Sequence, residues 1–155
     1  MKILDTKQFI DEKMKIMPIS NNELDNINLS PITLLKNPKK SDLKEGDVCI
    51  TEENDNTRNL YIVAKGSTAN HIIAGYNNEL LLVQSDDYVC QFIDLNDYNE
   101  KLKDNEDDEY DIKYVFRTNL KPFDFDAEHK LKDTIHSIYH KICEYYPNEA
   151  QYIKF

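Results

Sequence analysis

Between Asp47 and Thr118 the chain breaks into short apolar runs parted by turn residues, and that pattern limits its folds more than any other feature. The runs are "DVCIT" (47–51), "NLYIVAK" (59–65), "HIIAGY" (71–76), "LLLVQS" (80–85), "YVCQFIDL" (88–95) and "YDIKYVFRT" (110–118). Within 59–65, Leu60, Ile62 and Ala64 alternate with Tyr61, Val63 and Lys65, the period of a strand. "NDNT", "GSTAN" and "NNE" supply the turns. Strands spaced roughly 8 to 12 residues apart predict an antiparallel meander or small barrel, here over 42–118.

Helical patterns flank this region, so the expected fold class is α+β. Residues 5–17, "DTKQFIDEKMKIM", place Phe9, Ile10, Met14 and Met17 near one face, with Asp5 as cap and Pro18 as stop. Ser20 and Glu23 have capping-box spacing before Leu24 and Ile27. Together they predict an N-terminal helical hairpin over 1–35, too short to stand without packing on something. "KNPKKSDLKEGD" (36–47) reads as a polar hinge holding a small lysine cluster. A C-terminal helix is predicted over 123–155, capped by Asp124 or Asp126. Leu131, Ile135, Ile138, Ile142 and Tyr145 form its core-facing stripe, and Pro147 ends it.

Charge and composition exclude several functions. The net charge of −10 opposes binding to nucleic-acid phosphates and to anionic membranes, and permits a basic protein partner. The three glycines, Gly46, Gly66 and Gly75, are too scattered for a phosphate-cradling loop. Cys49, Cys90 and Cys143 form no disulfide pattern, and the N-terminus lacks the apolar core of a signal peptide. A reducing cytoplasm is therefore expected. No run approaches a membrane span. No G-x-S-x-G or H-E-x-x-H motif occurs, and Cys49 and Cys90 fall inside apolar strands, as buried inert thiols do. His136, His140 and Cys143 share one side of the tail helix, but they lie off its apolar stripe and lack a fourth ligand. No metal and no cofactor is expected.

"EGDVCIT…RNLYIVAKG" followed by "FIDLNDYNEKLKDNEDDEYDIKYVFR" resembles a pattern in small proteins of phages and mobile elements of low-GC Gram-positive bacteria. Its marks are Gly46 and Asp47 before one strand, Tyr61 and Val63 in the next, and Leu95, Tyr98, Asn99 and Leu102 in a loop. Tyr110, Asp111 and Ile112 open the closing strand. The resemblance spans about 46–117 and implies an SH3-like β-barrel. It carries no active residues across.

The remaining feature is acidic. From Asp94 to Asp111 inclusive there are nine acids and two lysines. With Tyr98 and Leu102 anchoring a helical turn, Asp104, Glu106, Asp107, Asp108 and Glu109 are expected in water. A solvated loop explains them, since charge keeps strand edges from pairing. The functional alternative is a negative surface imitating a phosphate backbone, which would fit a protein built to hold nucleic acid. Calcium is rejected, because an EF-hand loop needs a glycine and a closing glutamate that this segment lacks. Tyr110, Tyr114 and Phe116 share one strand face by period two; a place in the core is the first reading of that face, and Tyr110 and Tyr114 are also candidate anchors beside the acids. The sequence thus points to a non-enzymatic acidic protein that binds a partner with a basic surface, most sharply a nuclease or other defence protein inhibited by a phage product. A structural or regulatory interaction module is the alternative, and a small enzyme with a His or Cys centre the third.

Overall fold

The computed structural model describes residues 3–5, 32–66, 78–85, 90–105, 110–120 and 128–154, with backbone alone for 3–5, 85, 90 and 128–130. Its frame is a seven-stranded antiparallel sheet. The strands are β1 (Ile3–Asp5), β2 (Thr33–Leu34), β3 (Val48–Glu52), β4 (Arg58–Lys65), β5 (Leu80–Ser85), β6 (Cys90–Asp94) and β7 (Asp111–Arg117), in the spatial order β1-β6-β5-β4-β3-β7-β2. From β3 to β6 neighbours in space are neighbours in sequence, the expected meander. β7 then crosses over to pair with β3, and β1 and β2 form the two edges. The sheet is open, so the barrel form of the expectation is not what the strands adopt. The expected strand at 71–76 and most of the expected N-terminal hairpin lie outside the described residues.

Both faces of the sheet are covered, which explains why β4 reads as an almost unbroken buried run. Val48, Ile50, Leu60, Ile62, Leu81, Val83, Phe92 and Phe116 form one face. Helix α1 (Glu128–Tyr145) lies over it, lodging Leu131, Ile135, Ile138 and Ile142 against β4 and β5. Each such side chain contributes about 1.5–3 kcal/mol by leaving water. The opposite face carries Cys49, Tyr61, Val63, Leu82, Ile93, Ile112 and Val115, roofed by Leu43, Leu95, Tyr98 and Leu102 from the connecting segments.

The tail departs from expectation after Ile142. Tyr145 is 61% exposed, and the residue that turns inward is Tyr146. Its ring meets Phe116 edge-on at 5.1 Å, its hydroxyl donates to the Ile32 carbonyl oxygen at 3.1 Å, and that hydroxyl accepts the Leu34 N–H at 3.3 Å. Pro147 ends α1 and also opens a short helix α2 (Pro147–Ala150), a position where its missing N–H costs nothing.

Gly46 and Asp47 are structural. Gly46 has φ +91°, and a Cβ there would fall against the Leu120 carbonyl oxygen. Asp47 is buried and takes the Arg117 guanidinium on both oxygens, at 2.9 Å from Nε and 3.0 Å from Nη2, and also the Lys44 N–H at 2.8 Å. This joins the entry to β3 with the exit from β7. The hydrogen bonds to Asp47 hold the Arg117 pKa above its ordinary value.

Candidate functional site

The acidic segment is reached through a tightly built turn. After the 3₁₀ turn Leu95–Asp97, Tyr98 pairs antiparallel with Asp104. Between them the Asn99 side chain oxygen accepts the N–H groups of Lys101 at 2.8 Å and Lys103 at 3.3 Å, and the Asn99 N–H reaches the Lys103 carbonyl oxygen at 2.9 Å. Asn favours such turns because its side chain can substitute for a backbone acceptor. Leu102 has φ +63°, rare for a leucine. It is held there by its own N–H on the Asn99 carbonyl oxygen, by the Ile112 N–H on its carbonyl oxygen, and by burial of its side chain. Tyr98 and Leu102 are thus the anchors expected, but through a hairpin-like turn and not a helical one.

Asp104 differs from expectation. It is 4% exposed, because its pairing with Tyr98 and the 2.9 Å hydrogen bond from its N–H to Asp111 Oδ1 draw it under the turn. Glu106, Asp107, Asp108 and Glu109 lie outside the described residues. The chain on either side of them is pinned: the Asn105 N–H donates to the Asp97 carbonyl oxygen at 2.8 Å, and the Tyr98 hydroxyl donates to the Tyr110 carbonyl oxygen at 2.9 Å. Burial pushes the Tyr98 phenol well above its ordinary pKa, so it remains a proton donor.

Tyr110, Tyr114 and Phe116 do not share a face. The pairing of β3 with β7 shifts between Ile50, opposite Tyr114, and Thr51, opposite Ile112, leaving Lys113 as the extra residue of a bulge. Tyr114 and Phe116 therefore face α1, whereas Ile112 and Val115 face the other way. Tyr110 and Tyr114 are both half-buried. Tyr114 has Arg58 over its ring at 5.2 Å from the centroid and the Lys113 ammonium at 5.8 Å.

Arg58, the least exposed described cation at 8%, was not singled out by sequence. Its Nε donates to Glu52 Oε2 at 2.9 Å. Its Nη1 faces the carbonyl oxygens of Asn148 and Glu149, each at 3.0 Å, and of Gln151 at 3.3 Å. The guanidinium thereby satisfies carbonyls at the end of α2, where a cation is favoured. Glu52 also accepts Lys113 Nζ on both oxygens, at 3.1 and 3.0 Å. Burial raises the Glu52 pKa, but Arg58 and Lys113 together outweigh it and hold the carboxyl below its ordinary value.

Beside this cluster lies a polar cleft of about 450 Å³. The β3–β4 turn contributes Glu52, Glu53, Asn54 and Asn56 to it; the start of β7 contributes Asp111, Ile112 and Lys113; and the 99–103 turn contributes Lys101 and Lys103. It sits next to the pinned ends of the acidic segment and is formed by three stretches distant in sequence.

The other candidates have ordinary settings. Cys49 is fully buried, and desolvation drives its thiol pKa far up, which suits an inert side chain. Cys143 is half-buried against the α1 core, His136 is half-buried, and His140 is exposed. Burial and then Lys132 lower the His136 pKa. Among the described residues no three His, Cys, Asp or Glu side chains come together as a metal site, and no helix is long and apolar enough to cross a membrane. No family model, curated protein or solved structure matches the chain.

Proposed function

We propose that this chain is a non-enzymatic, acidic binding protein whose partner presents a basic surface. In its sharpest form it is a phage or mobile-element product that acts in the bacterial cytoplasm and occupies the nucleic-acid channel of a defence protein such as a nuclease. The hydrogen bonds that pin both ends of the acidic segment carry the proposal: Tyr98 to Tyr110, and Asp104 to Asp111. Four consecutive acids, Glu106 to Glu109, occupy the four positions between Asn105 and Tyr110. Carboxylates held close together attract a positive channel more strongly than dispersed ones, and speed association at low salt. Asp104 is withdrawn from this surface by its burial.

The test is capture of partners from host lysate at low and high salt, with competing nucleic acid in a parallel sample, by the wild-type chain and by a D107K/D108K variant. Loss of a nucleic-acid-binding partner on charge reversal, on raising salt and on adding competitor is the expected result. A partner retained through all three would sink the mimicry.

A second reading is favoured by one observation. Tyr145 and Tyr152 are 61% and 68% exposed, the large exposed hydrophobics among the described residues. Tyrosines are common interface anchors, so a regulatory or structural module could bind through them. In that case Tyr145→Ala and Tyr152→Ala abolish capture while the charge reversal leaves it intact.

A further inference from the structure

We infer that residues 147–154 form a strap that docks and undocks as one unit, with Arg58 as its latch, and that the docked strap screens the ring of Tyr114. As a control on a partner anchored at Tyr114, the screening rests on the partner-binding reading. The undocking does not.

The first ground is how little apolar surface holds the segment. Ala150, a single methyl, is the one buried residue between 147 and 154; Ile153 is half-buried and Tyr152 stands in water. The neighbouring helix α1 instead lodges Leu131, Ile135, Ile138 and Ile142 in the core. Segments with few buried apolar contacts open locally while the core stays closed. The base of the segment is fixed on the α1 side. Tyr146 keeps its ring on Phe116 and its hydroxyl on Ile32 and Leu34, and Pro147 breaks the helical run directly after it. The hinge is therefore Tyr146–Pro147, and movement about it leaves α1 in place.

The second ground is that the attachment is polar and converges on one residue. The pairing of β5 with β4 runs only from Ile62 to Lys65. Beyond it, Arg58 meets the tail in an isolated parallel bridge with Ile153: its N–H donates to the Tyr152 carbonyl oxygen, and its own carbonyl oxygen accepts the Lys154 N–H, each at 2.9 Å. The Arg58 side chain adds the carbonyl oxygens of Asn148, Glu149 and Gln151. Groups like these exchange one set of hydrogen bonds for another when water replaces the segment, at small net cost. Glu52 still holds Arg58 Nε after release, so undocking strands no dry charge. The docked form also carries strain, because Tyr152 sits at φ +66°.

The consequence falls on Tyr114. In the docked form the tail carbonyls help to hold the guanidinium 5.2 Å from the centroid of that half-buried ring. When the strap leaves, Arg58 can turn toward water and the ring face opens. An arginine of a basic partner then has the same place to occupy, since cations favour the face of an aromatic ring.

The test needs no partner. Amide exchange of the ¹⁵N-labelled full chain and tyrosine nitration mapped by peptide mass are measured for the wild type and for Ala150→Glu. That substitution puts a charge into the one buried position of the strap and leaves Arg58 and Tyr114 in place. In the wild type the Arg58 and Lys154 amides should share one protection factor, at least about tenfold below those of Ile62 and Ala64 in the same sheet. In the variant it should fall about tenfold further while the Ile62 and Ala64 resonances persist. Nitration of Tyr114 should rise at least about threefold relative to buried Tyr98. Arg58 and Lys154 amides protected as well as Ile62 in the wild type overturn the strap, because it would then open only with the whole fold. So do unchanged Arg58 and Lys154 amides in the variant, and so does loss of the β4 resonances along with them. Tyr114 nitrated no faster in an open variant overturns the screening. Failure to capture a partner from lysate would sink the partner-binding reading and leave these results standing.

Discussion

The Tyr98 hydroxyl donates a 2.9 Å hydrogen bond to the carbonyl oxygen of Tyr110, twelve residues on, and so closes the base of the acidic segment. Tyr98 is fully buried, and its ring forms part of the roof over the sheet face opposite α1. Tyr98→Phe keeps that packing and deletes only the donor. It should cost about 1–2 kcal/mol, the net loss for a hydrogen bond whose acceptor is left under-satisfied. Urea denaturation measures the cost. Amide exchange should quicken at Asp104, Asn105 and Asp111 before it changes in β4; uniform quickening would mean that the bond does not hold this base in particular.

Arg58 should be among the most sensitive charged positions. Arg58→Ala removes the partner of Glu52 and of three carbonyls around α2 at once. A loss of about 3–5 kcal/mol is expected, as for breaking other buried ionic groups. Arg58→Lys should recover only part of it, because one ammonium cannot reach both Glu52 and the α2 carbonyls with a planar fork. Denaturation curves of the two variants check the order.

Glu52 predicts a definite pH dependence. Its folded pKa lies below the ordinary glutamate value, so folding favours the charged form. That stabilisation is fully present above the unfolded pKa and is lost as pH falls through the folded one. Glu52→Gln should destabilise by about 1–2 kcal/mol at neutral pH. The gap between wild type and variant should narrow as the pH falls below the ordinary glutamate range. A constant gap across that range would show that the carboxylate charge is not what the two cations recognise.

Gly46→Ala should be costly despite its small size. The position needs φ +91°, and the added methyl would meet the Leu120 carbonyl oxygen. Backbone displacement at the entry to β3 should cost about 2–4 kcal/mol, read as a lowered thermal midpoint. Full stability in the variant would mean that the 118–120 segment yields easily.

Much of the sheet was legible because its signals are local. β5 agrees with the expected run residue for residue, and β3, β4 and β7 lie within one residue of theirs at either end. The α1 stripe from Leu131 to Ile142 followed from helical period. β1 and β2 were missed because strands of three and two residues carry no periodicity, and they exist through pairing with β6 and β7. The bulge at Lys113 was also silent, so Tyr110, Tyr114 and Phe116 were assigned one face that they do not share. Asp104 looks like its acidic neighbours in sequence, and only its pairing with Tyr98 takes it out of water. The Arg58 cluster and the cleft assemble from segments far apart in the chain, which no spacing rule connects.

The Arg58 clamp also sets an order of events during synthesis. β4 is complete long before the carbonyls of Asn148, Glu149 and Gln151 exist, ninety or more residues later. Until they arrive, the growing chain carries a guanidinium at a place destined to be dry, with Glu52 and the Tyr114 ring as its described partners. Chains halted short of residue 148 would keep that charge wet by holding the adjoining end of β4 open. They would thus offer quality-control proteases a local opening that closes when α2 docks.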